Sequence, residues 1–481
     1  MNKVNNLKRV KKKKGIVAMV VMLFFFVFVF NRYSEAMEVG RFKLKIDTLV
    51  EETYADNVFL DKYNKKDAFI TMIVPMISIN RGGEKYYLEL EYDARLSFYD
   101  KYSSENQYYQ HGAWNLGMNR TSKSKVGIKG EDMLTYVERD PRGKSVRSNL
   151  IEVNDLTLTP YVTQKIGEKY DIGLSYTWHQ RDYKENYYDE ELMDSNSHTI
   201  NADFIYKFTN NFSLLTGYRY TLTYFQDATP DYTENEIYGG FGWDNKDKFK
   251  IETRLGYAWN ENEFDVVHDY ITSDSSIDIL FLPDTIINII YIRSWKFTSV
   301  YDTQTASYIS DNLSTSVRHY LFDEIVEFRY GVGYVLSNYK DIDREDKLYN
   351  ANAGISWNIL KPIVLLVDGR YSKADYRYDL DTLPREDKEV GGGCGLEWKI
   401  FNPVLLSLNA IYTKIDYTPG NREDELYEGL GALSYSLTDN FFIETRYQYL
   451  ENKSFDEENQ KPLEENEYVA NRYSLGLRMI F

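Results

Sequence analysis

Phe249-Lys250-Ile251-Glu252-Thr253-Arg254-Leu255-Gly256-Tyr257-Ala258-Trp259-Asn260-Glu261 decides the fold. Phe249, Ile251, Thr253, Leu255, Tyr257 and Trp259 alternate with Lys250, Glu252, Arg254, Gly256, Ala258 and Asn260. Successive side chains of a strand point to opposite faces, so a period of two makes one apolar face and one polar face. A helical period would scatter Phe249, Ile251 and Leu255 around the cylinder. Phe212 to Tyr224 repeats the pattern, with Phe212, Leu214, Tyr218, Tyr220, Leu222 and Tyr224 against Ser213, Gly217, Arg219, Thr221 and Thr223.

The same unit recurs from Arg41 to the end of the chain. Short polar turns fall near Asn80 to Gly83, Arg120 to Lys125, Lys165 to Glu168, Asn210-Asn211 and Asn245 to Lys248. Five more fall at Pro283-Asp284, Asp323-Glu324, Lys361-Pro362, Asn402-Pro403 and Asp439-Asn440. Longer acidic stretches separate them, among them Lys184 to Asn196, Gln226 to Glu234, Asp379 to Asp387 and Asp456 to Glu465. Eleven hairpins of roughly 40 residues each follow. An even number of amphipathic strands, with turns at one end and loops at the other, is the pattern of an outer-membrane barrel. The expectation is an all-β, transmembrane, antiparallel up-and-down barrel of about 22 strands, with 18–20 as the alternative and no plug domain. Such a wall is roughly 140 Å around and ~45 Å across. Glu261 to Ser275 is the expected constriction loop.

Composition agrees with this. Tyr contributes 44 residues and Phe 25, and amphipathic rings suit the two rims of a barrel. Trp178, Tyr224, Trp259 and Tyr412 are expected in these girdles. A single Cys excludes a disulfide framework and a Cys-based metal site. The net charge of −17 excludes nucleic acid as a partner, since no basic patch faces phosphates.

Residues 1–36 read as an export signal. Lys3, Lys8, Arg9 and Lys11 to Lys14 form a basic head, Ile16 to Phe30 an apolar run, and Ser34-Glu35-Ala36 a small-residue cleavage site. Residues 37–481 are then the barrel, placed in the outer membrane of a Gram-negative cell among its lipid and lipopolysaccharide.

Five strands of one sense carry an acid, a spacer and an Arg: Asp93 and Arg95, Glu252 and Arg254, Glu327 and Arg329, Asp368 and Arg370, Glu444 and Arg446. Residues i and i+2 share a face, so each pair is expected to line the lumen at a similar height, either as a charged ring of mixed sign around a pore or as neighbouring charges that pair in a polar interior. Opposite signs this close largely cancel the field a permeant would feel. Tyr473, Leu475, Leu477, Met479 and Phe481 form a last amphipathic strand that resembles the signal read by the barrel-assembly machinery.

Glu52-Thr53-Tyr54-Ala55-Asp56-Asn57-Val58-Phe59-Leu60 resembles the "Tyr-x-Asp-Asn-hydrophobic-Phe" opening of the β-barrel porin 2 family, carried by Tyr54, Asp56, Asn57 and Phe59. The resemblance implies an outer-membrane barrel that accompanies exopolysaccharide or capsule biosynthesis, with a polysaccharide and periplasmic export components as partners. It implies no catalytic residue. A general or solute-selective porin is the alternative, and a barrel enzyme the third. His111, His179, His198, His268 and His319 are scattered, and Ser197 and His198 face opposite sides by parity, so no catalytic residue, cofactor or metal is assigned. Gly391-Gly392-Gly393 before Cys394 reads as a bent strand rather than a phosphate loop. Asp341 to Asp346 lacks the spaced ligands of a calcium loop.

Overall fold

Strands with one apolar and one polar face still carry unpaired backbone groups along both edges, and closing the sheet on itself removes every edge. The computed structural model shows this closure. It describes residues 37–39 and 42–481, apart from 139–143, 145, 185–193, 227–230, 247, 263–266, 301–303, 340–343, 379–384, 419–420 and 457–460. The export segment 1–36 lies outside the described residues.

Among the described residues, twenty-two strands of 13–18 residues run from Phe42–Ala55 to Tyr468–Ile480, each antiparallel to the next. The last pairs with the first, from Asp47 against Ile480 to Ala55 against Arg472. The count is therefore 22, not 18–20. Met37–Val39 adds a short rung beside Phe42 to Leu44, and Lys461–Pro462 one beside Phe455 and Asp456.

Ten connections at one rim are two to four residues long, at the positions where Gly, Pro, Asn and Asp break the alternation. The other rim departs from expectation. Val267 to Ser275 belongs to the strand Val267–Leu282, so Glu261 to Ser275 is not a constriction loop. Arg344 to Asp346 and Arg385 to Asp387 likewise open the strands Arg344–Leu360 and Arg385–Phe401. These stretches are charged on both faces and read as loop in composition, yet their backbones continue the ladder.

The outward face is apolar and exposed: Leu255 at 59%, Ile271 at 61%, with Leu174, Ile237 and Val332 beside them. Six to eight residues above the short-turn rim this band meets a row of outward tyrosines, including Tyr218, Tyr257, Tyr291, Tyr412 and Tyr447. Their hydroxyls reach polar neighbours one strand away, Tyr218 to Asn235 at 2.6 Å, Tyr257 to Asp269 at 3.1 Å and Tyr447 to Asn471 at 2.8 Å. At the short-turn rim Phe208, Trp243, Phe281, Trp357 and Phe401 form a second exposed row. At about 3.3 Å per residue and ~40° tilt, the band between the rows is on the order of 20 Å tall, close to that of outer-membrane barrels.

This register predicts opposite outcomes for two neighbours. Leu255→Arg puts a charge into the apolar band, at about 2–4 kcal/mol, and should sharply lower the folded yield in detergent. Arg254→Leu alters only the inner wall and should fold. The reverse pattern would mean that the strand is assigned one residue out of register.

Candidate functional site

By parity all ten residues of the acid–Arg pairs lie on the polar inner face, on strands that leave the short-turn rim. Two of the five pair within their own strand. Glu444 and Arg446 close to 2.7 Å, and Glu327 and Arg329 stand 3.9 Å apart. Apart from Glu252, which holds Lys250 of its own strand, the other contacts run sideways. Asp93 lies 3.2 Å from one nitrogen of His111, whose other nitrogen faces Glu131 at 2.9 Å. Glu252 holds Lys250 at 2.9 Å, while Arg254 lies 3.9 Å from Asp274 and stacks over the Tyr238 ring. Glu327 holds Arg318 at 3.2 Å, and Arg370 holds Glu389 at 2.7 Å and donates to Thr413 Oγ1 at 3.0 Å. Two steps along a strand cover roughly 6.6 Å and facing residues on neighbouring strands are about 4.5–5.5 Å apart, so these long side chains reach either way. The inner wall is thus knit by pairs of opposite sign both across strands and within them, the latter also at Arg344 and Asp346, Arg385 and Asp387, and Arg422 and Asp424. Tyr238 adds to it, lying flat across Gly217, where any Cβ would strike its ring, and bringing its hydroxyl within 2.5 Å of Asp203 and 2.8 Å of Asn201.

One hairpin leaves the wall. Thr285–Val300 pairs with Val267–Leu282 only up to Arg293 against Ser273, while continuing to pair with Gln304–Leu321 as far as Val300 against Gln304. Above Arg293, Trp295 and Ile309 carry the parity that points outward lower down. They pack instead against Tyr270 and Ala258, which are inward-facing, and the four form a buried apolar cluster. The Trp295 and Tyr270 rings stack at 5.1 Å, and His268 lies 5.2 Å from Trp295. Only a hairpin leaning to the lumen side can bring these faces together. Beside its root, Glu236 is 1% exposed, bonded by Thr272 Oγ1 at 2.5 Å and paired with Arg219 at 3.2 Å. Tyr270 donates to Glu234 at 2.6 Å. Sequence reasoning missed this element because its alternation is unbroken.

The family-like motif sits at the barrel's closing seam. Asp56 accepts from the backbone and side-chain nitrogens of Asn471, both at 2.8 Å. Asn57 is wholly buried, donates to the carbonyls of Asp61 at 2.7 Å and Val469 at 3.0 Å, and accepts from the Asp61 amide at 3.0 Å. The Tyr54 ring meets Phe69 and the Phe59 ring meets Tyr102. Lower on the seam, Arg478 binds Asp47 through two nitrogens at 3.0 and 2.7 Å, and Arg446 reaches Glu51 at 3.3 Å. Of the terminal strand, Tyr473 and Leu475 stay exposed in the apolar band, Leu477 continues their face, and Met479 is buried. Phe481 exchanges two backbone hydrogen bonds with Ile46, and its ring meets Phe441 at 5.8 Å.

The histidines stay apart. His179 faces Asp155 at 2.5 Å, His319 meets Thr285 Oγ1 at 2.8 Å, and His198 lies on the outer face against Tyr176.

No protein-family model matches the chain, and no curated protein matches it. Solved structures do. The FrpB iron transporter from Neisseria meningitidis (F3-3 variant) superposes with a TM-score of 0.59 at 9% identity, over 91% of this chain and 81% of that one. The ferric enterobactin receptor PfeA from Pseudomonas aeruginosa, as a mutant, gives 0.57 at 8%, over 91% and 80%. The copper transporter OprC gives 0.53 at 8%, over 93% and 82%. The chain therefore has the closed 22-stranded fold of outer-membrane transport proteins. The matches do not bear out one expectation: the barrels it resembles are iron and copper transporters and siderophore receptors, and they lend the expected plug-free lumen no support.

Two variants test the seam. Asn57→Ala strands buried partners and should lower stability by about 2–3 kcal/mol, read as an earlier loss of the compact band on semi-native gels, while Lys65→Ala should change it by less than about 0.5 kcal/mol. Deleting Phe481 should cut the folded yield far more than deleting Lys65.

Proposed function

We propose that this chain is a non-enzymatic outer-membrane transport barrel of a Gram-negative cell, exported by its N-terminal signal, and that its cargo is an exopolysaccharide leaving the cell. The observation behind transport is the closed wall with an apolar band outside and a sign-balanced polar face inside. The cargo rests on the motif Tyr54, Asp56, Asn57 and Phe59. Inward-facing Asn350, Asn352 and Asn409 are exposed to the lumen and suit it, since amides among neutralised ion pairs offer hydrogen bonds to hydroxyl groups without net charge. The inward-leaning hairpin narrows the path that such a polymer follows. The same balanced wall also suits a porin for small solutes, which is the second reading.

Planar-bilayer recording separates the two. For a polysaccharide path, a neutral dextran added on one side should cause blockades that lengthen with chain length. For a porin, long dextrans should leave the current untouched. Trp295→Ala unpins the hairpin and should raise the open-channel conductance or its noise, whereas Trp243→Ala, on the outward face at the short-turn rim, should not.

A further inference from the structure

The outward surface above the tyrosine row is sorted by charge on one arc of the barrel. On four consecutive strands, going from the apolar band toward the long loops, it reads Tyr349, Lys347, Glu345 on Arg344–Leu360, then Tyr371, Lys373, Asp375 on Ile363–Tyr378. It continues Val390, Lys388, Glu386 on Arg385–Phe401, then Tyr412, Lys414, Asp416 on Val404–Thr418. All twelve share the outer face with exposed Ile355, Val367, Trp398 and Leu408. The result is three tiers, each about 5 Å above the last for two residues on a tilted strand. Among the described residues, the outward face of the strands between Tyr86 and Asn262 carries no lysine above its tyrosines.

Salt bridging alone does not account for this order. The lysines do find acids, Lys347 to Glu345 at 2.5 Å, Lys373 to Glu386 at 3.0 Å and Lys414 to Glu423 at 2.7 Å. Such pairs form equally well with the tiers mixed. Instead Lys373 stands directly opposite Lys388. Like charges facing each other across a ladder repel, unless an anion lies between them.

Resting on the outer-membrane reading, we propose that this lysine tier docks the phosphate groups of an anionic outer-leaflet lipid, with Lys373 and Lys388 at its centre. The tyrosine tier marks the end of the hydrocarbon, and the next tier out is where headgroup phosphates lie. Exposed ion pairs contribute little, so a phosphate displaces a carboxylate at small cost. The acids then face the outer part of the headgroup, where divalent cations that bridge phosphates are held.

The test uses the full barrel in phosphatidylcholine nanodiscs doped with lipid A or with its dephosphorylated form, counting lipid A retained per barrel by native mass spectrometry. Retention of phosphorylated lipid A, lost several-fold in Lys373→Ala/Lys388→Ala and restored in Lys373→Arg/Lys388→Arg, supports the proposal. Equal retention by the alanine variant, or of the dephosphorylated lipid, overturns it while leaving the transport reading intact. A wild-type barrel that fails to enter nanodiscs overturns the membrane reading, and this surface with it.

Discussion

Every backbone N–H and C=O in a hydrocarbon layer must find a protein partner, and for a sheet this is met only by closure. Strand number, tilt, the alternation of faces and the position of both chain ends follow from that requirement. In this chain closure is made by Phe42–Ala55 against Tyr468–Ile480. Side-chain bonds gather on that joint: Asp56 with Asn471, Asn57 with Val469, Asp47 with Arg478, and Thr53 with Ser474 at 2.8 Å.

Alternation was enough to read the strands and the short turns. Phe249 to Glu261 shows its two faces in thirteen residues, and pairs such as Lys361-Pro362 or Asp439-Asn440 break the pattern wherever the chain reverses. Partnership was not legible. Parity says that Arg370 faces inward, but its carboxylate is Glu389 on the next strand, and register between strands is written nowhere in the local sequence. The motif Tyr54 to Phe59 was visible as a resemblance, while its place at the seam depends on residues more than four hundred positions away.

The inward hairpin was hidden for a related reason. A strand that leaves a wall keeps its own alternation, so Thr285–Val300 looks like its neighbours. What distinguishes it is a buried apolar cluster on the wrong side, with Trp295 and Ile309 against Tyr270 and Ala258. In a barrel with a polar interior, apolar burial inside the wall means that something has folded in. The small Ala258, between Glu236 and Tyr270 in register, makes the seat, and that signal appears only once three strands are aligned.

The seam also sets the order in which the barrel comes into being. Its partners are 412 to 431 residues apart, whereas every other neighbour pair is joined by a single turn or loop. Joining the ends of so long a chain costs on the order of 5 kcal/mol in lost freedom, though a curved sheet already in place reduces that. The first and last strands therefore meet last, after the intervening hairpins have brought them round. The clasp at Asp56, Asn57 and Asp47 acts as a latch on a ring: it contributes nothing until the circle is complete, and from then on it resists separation of the one neighbouring pair that no turn or loop ties together.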